Sequence, residues 1–229
     1  MNSSNKTKIS QYENFIRDIA NDVVAKINLE KLDKKGQSFL SKTQERFCFD
    51  NENGWKFFTS ALDTIGDSDY AITTYLDSNS HGSNFGVQYL NIYGVLSAIY
   101  IQQQSIIKLL ELFKVNNLNL KIKEFTDLEI TNLRHCISAH PINYSIENKK
   151  TSFKIVRSSF IQRGKIEICD QANNFTTYDV HNLINEYKEV AEKLIFVVAE
   201  KMINNTYKSS KDKVRELKTT LCSIQTVDN

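Results

Sequence analysis

A chain of 229 residues with 41% hydrophobic and 24% charged residues has the composition of an ordinary globular protein, and it is long enough to bury a core without disulfides or metals. Its net charge of +2 is too small to mark a nucleic-acid binder by bulk charge, so any contact with RNA has to come from local patches. Seven glycines and a single proline, Pro141, are too few chain breakers for many short strands and point to a mainly α fold.

The first residues, MNSSNKTKIS, are polar and lack the apolar core of an export signal. Cys48, Cys136, Cys169 and Cys222 are far apart and form no CxxC pair, which argues against a zinc site or a thioredoxin-like motif. A cytoplasmic protein with reduced thiols is the expectation. The most apolar run, residues 87–113, is interrupted by Gln102, Gln103 and Gln104 and reads as a core helix rather than a membrane span.

In chain order, Phe15, Ile19, Val23 and Ile27 predict a helix over residues 12–29. One or two helices follow over 55–76, then a Ser-, Asn- and Gly-containing loop over 77–86. Asp63, Asp67 and Asp69 fall among these residues; they lack the other ligands of a calcium loop and read as a turn. Residues 85–115 are the strongest helix: Ile92, Ile99, Ile106 and Phe113 recur every seven residues, with Val95, Leu96, Leu109 and Leu110 between them. Gln102 and Gln103 stand where that seam calls for an apolar residue. Either the seam widens there and both reach water, or one of them meets a polar group on a neighbouring helix.

Thr126 and Glu129 have capping-box spacing, with Phe125 and Ile130 as a hydrophobic staple. They predict a helix running to about His140 and stopped by Pro141. Residues 151–170 then alternate, with Phe153, Ile155, Phe160, Ile166 and Ile168 among them, and read as a β-hairpin turning at Arg163 and Gly164. Asp179 is placed to cap a last long helix with Leu183, Tyr187, Val190, Leu194 and Val198 on one stripe. A charged tail helix over 208–224 closes the chain. No linker separates these parts, so the expectation is one domain: N-terminal helices over 1–80, a core over 85–205, and the tail.

The stretch LRHCISAHP, residues 133–141, carries the clearest chemistry. It places Arg134, His135 and His140 on the end of one helix. An arginine and one or two histidines suffice to cleave a phosphodiester without metal: histidine titrates near pH 6.5 and serves as acid or base, and the arginine fork holds the phosphate. On an ideal helix Arg134 and His140 lie about 120° apart, so they converge only if the last turn is distorted or if a symmetric copy completes the site. The structural alternative is an Arg134 salt bridge to a neighbouring helix and a His140 that caps the last carbonyls. His81 and His181 lack ligand-like spacing. Lys154, Arg157, Arg163 and Lys165 in the hairpin region could follow an RNA backbone, or form an ordinary solvated strand face.

An arginine followed by a polar residue, with five residues between it and a histidine that precedes proline, all on a bundle helix, resembles the signature of HEPN domains. The resemblance covers the motif helix well and extends loosely over residues 85–205. It implies a HEPN-like helical bundle, to which the residue pattern adds the β-hairpin inserted before the last long helix; the first eighty residues and that hairpin lie outside the resemblance. It also implies a metal-independent endoribonuclease of a bacterial toxin–antitoxin or antiviral defence system, needing no cofactor and acting on RNA as a homodimer, with an antitoxin or defence protein as partner and no membrane. Carried onto this chain, Arg134 and His140 are the catalytic candidates, with His135, Gln102 and Gln103 in support. One branch of the family has a modifiable tyrosine two positions after the histidine; here Ile142 stands there and the nearest tyrosine is Tyr144. A non-catalytic helical interaction or nucleotide-binding module is the alternative, since one fold hosts many functions.

Overall fold

A computed structural model describes residues 6–27, 36, 38–77, 84–139, 141–142, 144–146, 149–161 and 164–226. The fold is mainly helical, with a small antiparallel sheet ahead of the last long helices. The helices are α1 (Lys8–Ala25), α2 (Phe39–Phe47), α3 (Gly54–Asp77), α4 (Phe85–Leu112), α5 (Leu118–Thr126), α6 (Glu129–Arg134), α7 (Val180–Thr206) and α8 (Lys211–Thr226). A π-helical turn, His135–Ala139, extends α6 directly. The strands are β1 (Tyr144–Ile146), β2 (Lys149–Thr151), β3 (Phe153–Ile155), β4 (Lys165–Asp170) and β5 (Phe175–Asp179). No helix among the described residues is long and apolar enough to cross a membrane.

The chain forms two compact units, and α3, α4, α5 and α7 each contribute residues to both. The first comprises residues 1–69, 102–121 and 191–229. Within it α1 starts on Thr7, whose hydroxyl oxygen accepts from the Ser10 amide and donates to Asp69. Tyr12, Phe15, Ile16, Ile19 and Val23 form the buried face of α1. Arg17 bridges Glu13 at 2.5 Å and Asp63 at 3.0 Å. Phe47, Phe49, Trp55, Phe58 and Phe113 form an aromatic cluster with ring centres 5.5–6.0 Å apart, Phe47 stacked on Phe49, Trp55 and Phe58, and Phe113 edge-on to Phe49 and Phe58. Asp63, Asp67 and Asp69 therefore do not make a turn: the apolar residues around them keep α3 helical through all three. The loop expected over 77–86 lies largely outside the described residues, as does His81.

The second unit comprises residues 70–101 and 122–190. Its buried residues come from α4 (Ile92, Val95, Leu96, Ile99), from α6 and the π turn (Ile130, Leu133, Ile137), from β4 (Ile166, Ile168) and from α7 (Val180, Ile184, Tyr187). Strand β4 is the centre of a three-stranded antiparallel sheet, with Ile155 opposite Ile168 on one side and Ile166 opposite Tyr178 on the other. The predicted hairpin is thus the β3–β4 pair, interrupted by a 3-10 turn, Arg157–Ile161, that takes Phe160 out of the strand. Strand β5 and the β1–β2 hairpin are additions that the sequence pattern did not reveal. Asp179 caps α7 as expected, accepting from the Asn182 amide at 3.1 Å.

Candidate functional site

Helix α6 is short and its entry is unlike the sequence expectation. Thr126 is the last residue of α5, where its hydroxyl donates to the Lys123 carbonyl at 3.2 Å. The capping box with Glu129 does not form; Leu128 precedes α6 without a side-chain cap. The reason is that α5 uses Thr126, leaving a two-residue corner before α6. The corner is secured by Thr131, a buried residue whose hydroxyl donates to the Phe125 carbonyl at 2.8 Å. Phe125, buried, packs on Tyr187 with ring centres 5.9 Å apart.

Arg134 ends α6, and its guanidinium lies over the Tyr100 ring of α4, 3.7 Å from the ring centre. Such a contact is worth about 0.5–2 kcal/mol, more when water is excluded. Arg134 makes no salt bridge among the described residues. Its Nε is buried and has no hydrogen-bond partner, and the same holds for the Ser138 hydroxyl one turn on. Buried donors left unspent are uncommon and cost about 1–3 kcal/mol each.

The π turn begins at the residue after Arg134. Single π turns inside α-helices often mark functional sites. Here the turn departs from the 100° per residue of an ideal helix. It buries Cys136 and Ile137 and leaves His135 half-buried at its start. His140 lies outside the described residues. The end of the segment is held by Pro141, whose carbonyl accepts from the Phe153 amide at 2.7 Å. Tyr144 donates back to the Asn132 side chain at 2.8 Å and packs edge-on against Phe153.

Burial pushes the Cys136 thiol up to about 11. It also raises Tyr144 and Tyr178, with Cys136 adding to both. These groups stay neutral at physiological pH. Among the described residues no three metal-ligating side chains converge.

Gln102 and Gln103 are both buried. The Gln102 amide donates to the Ile65 carbonyl of α3 at 3.0 Å, so the seam of α4 does not widen; a polar residue is kept on it by a partner on the next helix. Of the predicted backbone contacts, Lys154, Arg157 and Lys165 are exposed, and Arg163 lies outside the described residues. The strand register puts Lys154 and Lys165 on the same face of the sheet, with Glu167 beside Lys165. Arg157 instead lies over the Phe85 ring at 5.6 Å. In the first unit a basic groove of about 820 Å³ is lined by Lys208, Lys211, Arg215 and Lys218, of which Lys218 is paired with Glu200 at 2.9 Å.

Sequence reasoning missed Tyr100 and Ser138. Tyr100 had a faint signal, an aromatic ring on the flank of an otherwise aliphatic seam; Ser138 had none. Comparison of the chain with protein-family models, curated proteins and solved structures returns no match.

Proposed function

We propose that the chain is a metal-independent endoribonuclease, acting as a homodimer in a toxin–antitoxin or antiviral defence setting. The observation that carries the reading is the state of Arg134: stacked on Tyr100, paired with no carboxylate among the described residues, its Nε unspent, just before a π turn. An arginine stacked through its face, with no ion pair among the described residues, keeps its terminal N–H donors for an oxyanion such as a phosphate. The motif resemblance supplies the rest.

In this reading a base takes the proton of the RNA 2′-hydroxyl, the oxygen attacks the adjacent phosphorus in line, and an acid protonates the leaving 5′-oxygen. His140 serves as base or acid, Arg134 steadies the charge that builds on the phosphate oxygens, and His135 helps to orient the phosphate. Lys154, Lys165 and Arg157 are the backbone contacts of the second unit. An antitoxin or defence partner would bind the same protein to restrain it.

The test is cleavage of a labelled single-stranded RNA by the purified chain in excess chelator. Cleavage that proceeds with chelator, leaves DNA intact and falls at least about 100-fold in both His140→Ala and Arg134→Ala supports the reading. Cleavage that requires added metal, or that persists in both variants, overturns it. RNA left intact by folded wild-type protein favours the non-catalytic interaction module.

A further inference from the structure

The exposed face of α4 lacks the charge expected of a surface helix. Not one Asp, Glu, Lys or Arg occurs between Phe85 and Ile107, although a solvent-facing helix side is normally charged. Within the second unit that face consists of Val87, Leu90, Gly94, Ser97 and Ile101, spaced three, four, three and four residues apart. This is the spacing of a helix-pairing seam, and it lies opposite the buried seam of Ile92 and Ile99. Leu90 is 70% exposed, Ile101 45% and Val87 39%, with Tyr93 beside them at 40%. Together they leave on the order of several hundred Å² of apolar surface, the size at which a monomer's largest patch usually has a function.

Gly94 decides what the patch is for. It sits in mid-helix, where glycine is about 0.5–1 kcal/mol worse than alanine. A Cβ built there would meet nothing within 4 Å, so no packing among the described residues calls for a glycine. The absent side chain makes sense if something outside approaches the helix backbone closely.

We infer that this face is where a second copy of the chain docks, α4 against α4 in antiparallel fashion. The pattern is self-complementary. With a twofold axis between Gly94 and Ser97, each Gly94 meets the partner copy's position 97 and each Leu90 meets its position 101. Small residues face small ones where the helices cross, which lets the axes approach to the short end of the usual 8–10 Å. Large ones face each other on both sides. A twofold interface requires just this reciprocity, and the lack of charge lets the face meet its own copy without like-charge repulsion. The seam forms the apolar centre of an interface that takes about 800 Å² per partner in full. Tyr100, the ring beneath Arg134, is the neighbour of Ile101, so the second copy docks alongside the motif.

The inference names the surface of the dimer assumed in the nuclease reading, and it is carried by the helix face alone. Its test is mass by sedimentation of the full chain at about 50 µM, well above a micromolar Kd. The expected result is twice 26.4 kDa for wild type. Leu90→Lys and Gly94→Leu should each weaken association at least tenfold with unchanged helical content, while Phe175→Lys, an exposed apolar residue on β5, leaves it intact. A wild-type monomer at that concentration, which would leave the face to a different partner, overturns the inference. So does a dimer that Leu90→Lys does not weaken. A dimer that fails to cleave RNA strikes the nuclease reading and leaves this one standing.

Discussion

Arg134 and Tyr100 form a stacked pair that ties the end of α6 to the face of α4, guanidinium carbon 3.7 Å from the ring centre. The ring supplies the contact; its hydroxyl is not needed for it. Tyr100→Phe is therefore expected to keep stability within about 0.5 kcal/mol of wild type, and Tyr100→Leu to lose about 1–2 kcal/mol by urea unfolding. If the chain cleaves RNA as proposed, Tyr100→Leu lowers kcat about tenfold and leaves KM nearly unchanged, because the ring positions the arginine and does not touch substrate. Equal stability of the Phe and Leu variants would show that the stack contributes nothing.

Gln102 tests whether a polar residue on a buried seam is an asset. Its amide reaches the Ile65 carbonyl, which also accepts from Ser68 at 3.1 Å. Gln102→Met keeps the volume and removes the bond, and is expected to cost about 1 kcal/mol. Gln102→Ala adds a cavity and is expected to cost about 2–4 kcal/mol. Chemical unfolding of the two variants reads the difference; a Met variant worse than the Ala variant would contradict this packing.

How far these features could be read beforehand depended on the range of the interactions. The heptad seam of α4 and the Asp179 cap depend on neighbours along one helix, and both were legible. The capping box failed because Thr126 was claimed by α5, a helix whose existence the local pattern did not announce. Strand β5, with Thr176 and Thr177 beside two aromatics, is held by pairing to β4 and not by its own alternation. Arg134 and the histidines were visible as types, but the partner of Arg134 sits on another helix, thirty-four positions away in sequence, and no spacing rule points to it.

The thiols separate cleanly. Cys48 and Cys222 are exposed, Cys136 and Cys169 buried. An aromatic disulfide reagent at pH 8 should modify two thiols quickly and the other two only on unfolding, since burial and a thiolate suppressed until about 11 both protect Cys136. Four fast thiols would contradict the packing of the π turn.

Alkaline pH should loosen the fold. Burial raises Cys136 to about 11, Tyr75 to about 12 with Asp179 adding, and Tyr12 to about 12 with Glu192 adding. Each group holds its proton more tightly folded than unfolded, where thiol and phenol titrate near 8.5 and 10. The stability they contribute is complete below those values and is lost as pH climbs through the folded ones. Melting temperature should therefore fall steadily between about pH 9 and 12; a flat profile would show that these side chains are solvated.

Gly164 is a glycine whose replacement should be severe. Its φ is +68°, and an added Cβ would lie 2.8 Å from the His181 ring, which packs edge-on against Tyr75. Its carbonyl also accepts from the Val180 amide at 2.7 Å, at the start of α7. Gly164→Ala is expected to cost about 2 kcal/mol or more in thermal or urea unfolding, and a neutral result would mean that the turn has another conformation.

The bond between the Pro141 carbonyl and the Phe153 amide has a consequence for engineering. It brings the chain on either side of the β1–β2 hairpin together, with Pro141 before the hairpin clamped to Phe153 after it. Length added inside that clamp does not lever on the motif upstream or on β3 downstream. A reporter peptide spliced between Ile146 and Lys149 should ride along without disturbing either, whereas the same insert one residue outside the clamp would prise the two apart.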